Sequence, residues 1–264
     1  MISVVTVAHR SASELAALLP SLPGDAEVIV VDTDGSAAGV DATVIERLDN
    51  PGFGAANNDG VARASGEVTL LLNPDVVAPP GAVERLAALA AGRSALIVPR
   101  LRNADGSVQR SAFALPGLPS GVVNALTPGA LRREPWRARA PRIVGWALAA
   151  ALAAPTELLR RLGPFDPEAF LFYEDMDLCL RARAAGIPTV LHPEVELTHA
   201  GWHSYDSADP ELLARRRRMV VGANLGPRAL ALDDAAQFAE FGARSWRERD
   251  RARLRALIRA RHAG

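Results

Sequence analysis

The stretch "EVTLLLNPD", residues 67–75, reads as a continuous apolar strand that breaks into a polar turn ending on a carboxylate. A strand that is apolar throughout must be covered on both faces, as in a parallel sheet flanked by helices. "ISVVTVA" (2–8), "EVIVVDTDG" (27–35) and "ALIVPRL" (95–101) read the same way. Between these runs lie segments of helical character. "SASELAALLPSL" (11–22) opens on cap-type serines, and "GFGAANNDGVARASG" (52–66) is a loop entering a helix. "GAVERLAALAAG" (81–92) is a helix stopped by glycine. The alternation predicts an α/β fold with a Rossmann-like, mostly parallel central sheet and helices on both faces. Ligands of such sheets bind beyond the carboxyl ends of the strands. Those ends carry Ala8-His9-Arg10, Asp32 and Asn73-Pro74-Asp75. Two acids at one sheet edge point to a site.

The bulk numbers bound the possibilities. A chain of 264 residues with 49% hydrophobic and 23% charged residues buries a large core. The formal net charge is zero, so no whole-molecule field favours nucleic acid. All 30 basic residues are arginine. Cys179 is the only cysteine, which rules out an internal disulfide and fits a reducing compartment. "MISVVTVAHR" lacks the basic lead and cleavage site of a signal peptide. "VGWALAAALAAP" falls short of the ~20 apolar residues that span a bilayer. A cytoplasmic protein is expected, either free or peripheral at the inner face of the plasma membrane. We expect residues 1–230 to form the main domain, with halves at 1–102 and 103–230. An Arg-rich amphipathic helical tail (231–264) follows.

Several constellations bear on chemistry, each with a plainer counterpart. Asp75, just after a buried strand, suits a divalent cation whose shell is completed by water and phosphate oxygens; the plainer reading is an Asn-Pro turn. "GFGAANNDG" lacks the third glycine of a dinucleotide fingerprint and follows Asn50-Pro51 rather than a strand, which argues against a nicotinamide enzyme. His199, with His192 and His203 nearby, is a candidate metal ligand or simply a hydrogen-bonded histidine. "FYEDMDLCLR" (172–181) crowds Glu174, Asp175 and Asp177 against an apolar run. A helix start favours anions there, and Asp177 and Arg181 have the four-residue spacing of an ion pair. Partial burial beside like charge raises a carboxylate's pKa, which suits a general base. The segment 103–142, rich in Gly, Pro and Arg, reads as a long excursion: a substrate loop or an unstructured insertion. In the tail, eight arginines face two acids between Ala243 and His262, with Trp246, Leu254, Leu257 and Ile258 near one side. Such a helix lies on an anionic membrane or packs on its own domain.

The order of these motifs resembles family 2 glycosyltransferases of the GT-A fold, most of all the branch of bacterial rhamnosyltransferases acting on cell-envelope lipid intermediates. "NPGFGAANNDGVARASGEVTLLLNPDV", "DGSVQRS", "GPFDPEAFLFYEDMDLCLRARAAG" and "HPEVELTHAGWHS" carry the resemblance, which runs from about residue 2 to 205. It implies an inverting, metal-dependent transfer from a dTDP- or UDP-sugar, with dTDP-rhamnose favoured, to a glycan or polyprenyl-diphosphate-linked acceptor. It implies that Thr6, Ala8 and Asp32 hold base and ribose, with Arg10 grouped beside them. Gly52, Gly54 and Asn58 match the loop beside the nucleotide. Asn73 occupies the first position of the D-x-D pattern, and Asp75 matches the metal-binding acid. His199 completes the site for Mg2+ or Mn2+. Asp175 matches the catalytic base, paired with Glu174, and acceptor contacts fall to Trp146, Glu174 and Trp202. The chain departs from the pattern at His9-Arg10, where relatives often carry Tyr-Asn, and at Thr33-Asp34, where Asn-Gly or Asn-Ala is usual. A catalytically silent relative, sensing or scaffolding around a nucleotide sugar, is the alternative.

Overall fold

β1 (Ile2–Ala8) is buried at every position after Ile2, so it must be the middle of something. It pairs in parallel with β2 (Glu27–Asp32) on one side and β4 (Val68–Leu72) on the other. β3 (Thr43–Glu46) closes that edge, in parallel with β2. This computed structural model describes residues 1–128, 131–132, 134–166, 171–201 and 208–262. The sheet continues through β5 (Val76–Val77), β6 (Leu96–Arg102), β8 (Arg142–Val144), β10 (Ala151–Pro155) and β11 (Thr189–His199). The order is β3-β2-β1-β4-β10-β6-β11-β5, with β8 also on β11. β10 runs antiparallel to both β4 and β6, and β5 and β8 are antiparallel to β11. The other pairings are parallel. β7 (Ala112–Phe113) and β9 (Trp146–Ala147) form a separate two-stranded ribbon.

The helices α1 (Ala12–Leu18), α2 (Phe53–Arg63) and α3 (Ala82–Ala90) follow the expected alternation, and α4 (Pro119–Leu126), α5 (Thr156–Leu162) and α6 (Glu174–Ala184) come after them. The stretch 103–142 therefore holds a helix, α4, as well as a turn in which Arg102 bridges Val108. The chain divides into two compact units, Met1–Phe113 with Trp136–Gly201, and Ala114–Pro135 with Trp202–Gly264. The first holds the sheet. A large core cluster gathers Leu70, Leu72, Leu86, Ile97 and Leu101 from strands and α3.

The second unit is helical. The helix Pro210–Gly242 starts on an Asp209 cap, whose side chain accepts from the Glu211 amide at 2.9 Å. It breaks at Gly226, where φ is +80°, and Pro227 restarts it. The terminal helix Glu248–His262 buries Ala256, Leu257 and Ala260, with Ala256 and Ala260 clustered on Ala214. Arginines of the unit meet acids within it. Arg217 grips Asp233 through two bonds of 2.7 and 2.8 Å. Arg218 pairs with Asp234, Arg215 and Arg259 with Glu211, and Arg244 with Glu240. No described helix is long and apolar enough to cross a membrane.

α2 lies tightly on β1 because position 60 has no side chain. A Cβ at Gly60 would fall 2.3 Å from a methyl of Val5. Gly60→Ala gains about 1 kcal/mol of helix propensity but overpacks a core at a cost of about 1–3 kcal/mol. We expect a net loss, measured as a lower midpoint in thermal or urea denaturation.

Candidate active site

The parallel strands bring Ala8, Asp32 and Asn73 to one edge of the sheet, and β11 delivers His199 to the same edge. The antiparallel pairing of β11 with β5 sets His199 opposite Val76, one residue from Asp75. The result is a close pair: His199 Nε2 lies 3.2 Å from Asp75 Oδ1, and Asn73 Nδ2 lies 3.4 Å from the same nitrogen. Gly201 closes over the pair, for a Cβ there would stand 2.1 Å from Asp75 Oδ2. Asp75 Oδ1 and Asn73 Oδ1 are buried without a hydrogen-bond donor among the described residues.

This chemistry fits a hard divalent cation. A carboxylate oxygen and an imidazole nitrogen converge, and an unsatisfied buried acceptor has a strong demand for positive charge. No group of three or more His, Cys, Asp or Glu gathers among the described residues. The protein would thus supply two ligands and leave the rest of the shell to water and substrate, the usual habit of Mg2+. His192 is not part of this pair: it sits mid-strand on β11 opposite Pro99 and bonds Glu194 at 2.6 Å. His203 and Trp202 lie outside the described residues.

Asp175 reaches the same edge beside the start of β10. Asn73 N–H donates to the Ala150 carbonyl at 2.9 Å, just before β10. The neighbouring Ala149 N–H bonds the Asp175 carboxylate, as does Met176 N–H at 2.7 Å. A short run of backbone therefore links the two acids. Loss of solvation pushes the Asp175 carboxyl up to about 7, against the lowering pull of the amides of Met176, Ala149 and Asp175 itself. The entry to α6 is strained. Phe172 and Tyr173 are both left-handed, at φ 71° and 64°, a conformation that costs non-glycine residues about 1–2 kcal/mol each.

The crowded acids of the opening helix separate into distinct roles. Glu174 is buried at the first helical position. Asp177 makes the expected ion pair with Arg181 at 2.7 Å. Arg181 then holds the carbonyls of Leu162 and Pro164, both at 2.7 Å, fixing the loop after α5. Trp146 is only 6% exposed. It stacks on Phe113 at 4.1 Å and leans on Tyr173, so it braces the strained entry from below. Burial raises the Cys179 thiol to about 11, which leaves it unreactive.

The β1–β2 edge carries the residues expected to hold base and ribose. Thr6 is 0% exposed inside β1 and Ala8 is also buried, so neither presents a side chain to a ligand; His9 and Arg10 are exposed there. Both oxygens of Asp32 accept backbone amides of its own loop, from Asp34, Gly35 and Ala37. The two departures from the family pattern meet each other. Arg10 N–H donates to Asp34 at 2.7 Å, and His9 Nδ1 lies 3.1 Å from the Thr33 hydroxyl. A hydrogen bond from Ser36 and the amides of Arg10 and Ser36 hold the Asp34 carboxyl below the usual range. Gly52, at φ 91°, starts α2. Gly54 packs against Phe165, and the Asn58 amide is committed to the Phe165 backbone through bonds of 2.8 and 3.0 Å. These two residues tie α2 to the loop that leads toward α6.

Sequence reasoning missed Gln109. It is 1% exposed and its Oε1 lies 2.8 Å from His199 Nδ1. The signal was present in "DGSVQRS", but nothing in the spacing says that this glutamine meets a histidine 90 residues later.

A mostly parallel sheet with an acid-histidine pair at its carboxyl edge and a second, buried acid beside it is the architecture of a GT-A glycosyltransferase. A family model described as "Glycosyltransferase like family 2" matches residues 4–222. The chain belongs to that family and is a glycosyltransferase. An N-acetylglucosaminyl-diphospho-decaprenol L-rhamnosyltransferase of Mycobacterium tuberculosis is 29% identical over 239 residues, 77% of each chain. The fold matches S. aureus TarS 1-349 in complex with UDP-GlcNAc, with a TM-score of 0.60 and 18% identity over 98% of this chain and 81% of that one. It also matches the mannosyltransferase PcManGT from Pyrobaculum calidifontis in complex with GDP-Man and Mn2+, with a TM-score of 0.54 and 16% identity over 98% of this chain and 85% of that one.

The raised Asp175 carboxyl carries a stability cost with a definite sign. Between the unfolded value of about 4 and the folded value of about 7, the folded state holds a proton that the unfolded chain releases. Stability therefore falls as pH rises through this window. Asp175→Asn removes the penalty. Calorimetric melting should show the variant more stable than the parent above about pH 7, with the gap closing as the pH is lowered toward about 4.

Proposed function

We propose that the protein is an inverting, metal-dependent glycosyltransferase that moves rhamnose from dTDP-rhamnose to a hydroxyl of a polyprenyl-diphosphate-linked sugar. Asp175 is the general base, and Asp75 with His199 holds Mg2+ or Mn2+. The observation that carries this reading is the meeting of Asp75 and His199 at 3.2 Å on the sheet edge that Asp175 also approaches. The M. tuberculosis relative supports the choice of donor sugar and acceptor class.

In this mechanism the acceptor oxygen attacks the anomeric carbon, its proton passes to Asp175, and the bond from that carbon to the diphosphate oxygen breaks. The bound cation supplies charge neutralisation for the departing diphosphate. Asp75 and His199 orient that end of the donor, while the buried setting of Asp175 keeps the base poised near neutral pH. Attack from the side opposite the leaving group inverts the anomeric centre. The acceptor's lipid places the reaction at a membrane face. Trp246, 72% exposed and capped by the Arg247 guanidinium, supports a peripheral contact there.

The test is release of nucleoside diphosphate from a panel of dTDP- and UDP-sugars with Mn2+, with and without a lipid-linked acceptor. We expect dTDP-rhamnose to be preferred. kcat/KM should rise with pH to a plateau, with an apparent pKa near 7. Asp175→Asn should cost about 10²–10⁴ in turnover while donor affinity, measured by calorimetry, stays close to that of the parent. Asp75→Ala should weaken donor binding only when metal is present. Normal turnover by Asp175→Asn would remove the base from this scheme.

A further inference from the structure

Gln109 is buried beside His199, and the hydrogen bonds around its amide leave one orientation open. Its Nε2 donates to Asn103 Oδ1 at 2.9 Å, to the His199 carbonyl at 3.3 Å and to the Gly201 carbonyl at 3.4 Å. The two carbonyls can only accept, and Asn103 accepts through Oδ1 while its own NH2 faces the Ser107 hydroxyl. Turning the amide over would set its oxygen against two backbone carbonyl oxygens, in a place where water cannot relieve the clash. Oε1 must therefore face His199 Nδ1, at 2.8 Å. An amide oxygen can only accept, so Nδ1 carries the proton.

The consequence appears at the other ring nitrogen. With Nδ1 protonated, a neutral His199 has a lone pair on Nε2, the nitrogen that lies 3.2 Å from Asp75 Oδ1. We propose that Gln109 is a positioning residue that locks His199 in the Nδ1–H tautomer and so presents Nε2, together with Asp75, to a divalent cation. The second half rests on the metal reading given above; the first half does not. A lock of this kind also fixes the ring plane, which ties the start of the segment after β6 to the end of β11. Hydrogen bonds behind a metal-binding histidine are worth about 10- to 100-fold in metal affinity.

The experiment is nitrogen NMR of the metal-free, full-length protein, selectively labelled on the histidine rings, in mildly alkaline buffer. The chain has five histidines, so the spectrum is small, and His199→Gln assigns the signal by its loss. We expect a protonated Nδ1 and a bare Nε2 in the parent, and a mixture of tautomers in Gln109→Met, which is similar in shape but offers no comparable acceptor. The parent measurement needs no variant to fold. A bare Nδ1, or a doubly protonated ring paired with Asp75, overturns the proposal whatever the variant does. A second arm titrates Mn2+, alone and with dTDP, into parent and Gln109→Met. A 10- to 100-fold loss of affinity is expected, while unchanged affinity overturns the positioning role. If the parent binds no Mn2+ in either titration but shows the Nδ1–H ring, the metal reading fails and the tautomer lock stands.

Discussion

The site depends on two residue pairs of antiparallel sheet. β5 is only Val76–Val77, yet its pairing with Thr198 and His199 is what carries the end of β11 to Asp75. Ala200 N–H donates to the Asp75 carbonyl at 3.0 Å and extends the ladder by one rung. A slip of one residue would turn His199 to the opposite face of the sheet. The slip is resisted on both sides. Gly201 admits no side chain beside Asp75, and Gln109 bonds the backbone of both His199 and Gly201. A very short strand thus holds its register through the residues that flank it, not through its own length.

Asp175 is held by a different economy of forces. Its setting opposes stability twice, through two consecutive left-handed residues before it and through the raised carboxyl itself. The surrounding structure must over-determine the geometry for this to persist. It does so with apolar and cationic props. Phe113 and Trp146 stack below Tyr173, and Arg181 pins the loop after α5 while pairing with Asp177. Asn58 and Gly54 anchor Phe165 on α2. These supports come from helix α2, the ribbon and α6 together, so the raised carboxyl is a property of the whole neighbourhood rather than of the Glu-Asp dipeptide.

The parts of the fold legible in sequence were those where pattern and environment agree. β1, β2, β4 and β6 are rich in branched residues, are buried on both faces, and read correctly. β10 did not read as a strand, because "ALAAP" carries helix-prone alanines; a central place between β4 and β6 overrides that propensity. α4 was hidden in a stretch that Gly and Pro made look irregular. At the site, Asp75, His199 and Asp175 were visible as residue types at strand and helix ends. The placements of Asn58 and Gln109 were not, because hydrogen bonds across 90 or more residues leave no local periodicity. Asp32 and Asn58 were expected to face a nucleotide, and in the structure their polar atoms serve the protein's own backbone.

The arginines of the second unit show the same limit of composition. As a list, "RRRR" at 215–218 and the eight arginines of the tail describe a strongly basic surface. In the folded unit, Asp233 and Asp234 lie sixteen residues beyond Arg217 and Arg218 and meet them because the helix Pro210–Gly242 breaks at Gly226-Pro227 and doubles back. Arg261 adds a second cation at 3.5 Å from Asp234, and Arg259 shares Glu211 with Arg215. Both aspartates are buried, and removing Arg217 would leave the Asp233 charge without its cation, which costs more than an exposed pair contributes. Much of this basic charge therefore works inward, holding helices together. Trp246 stays exposed with Arg247 against it, and Met219 and Ile258 are exposed as well, so the outer surface of these helices is amphipathic rather than simply basic.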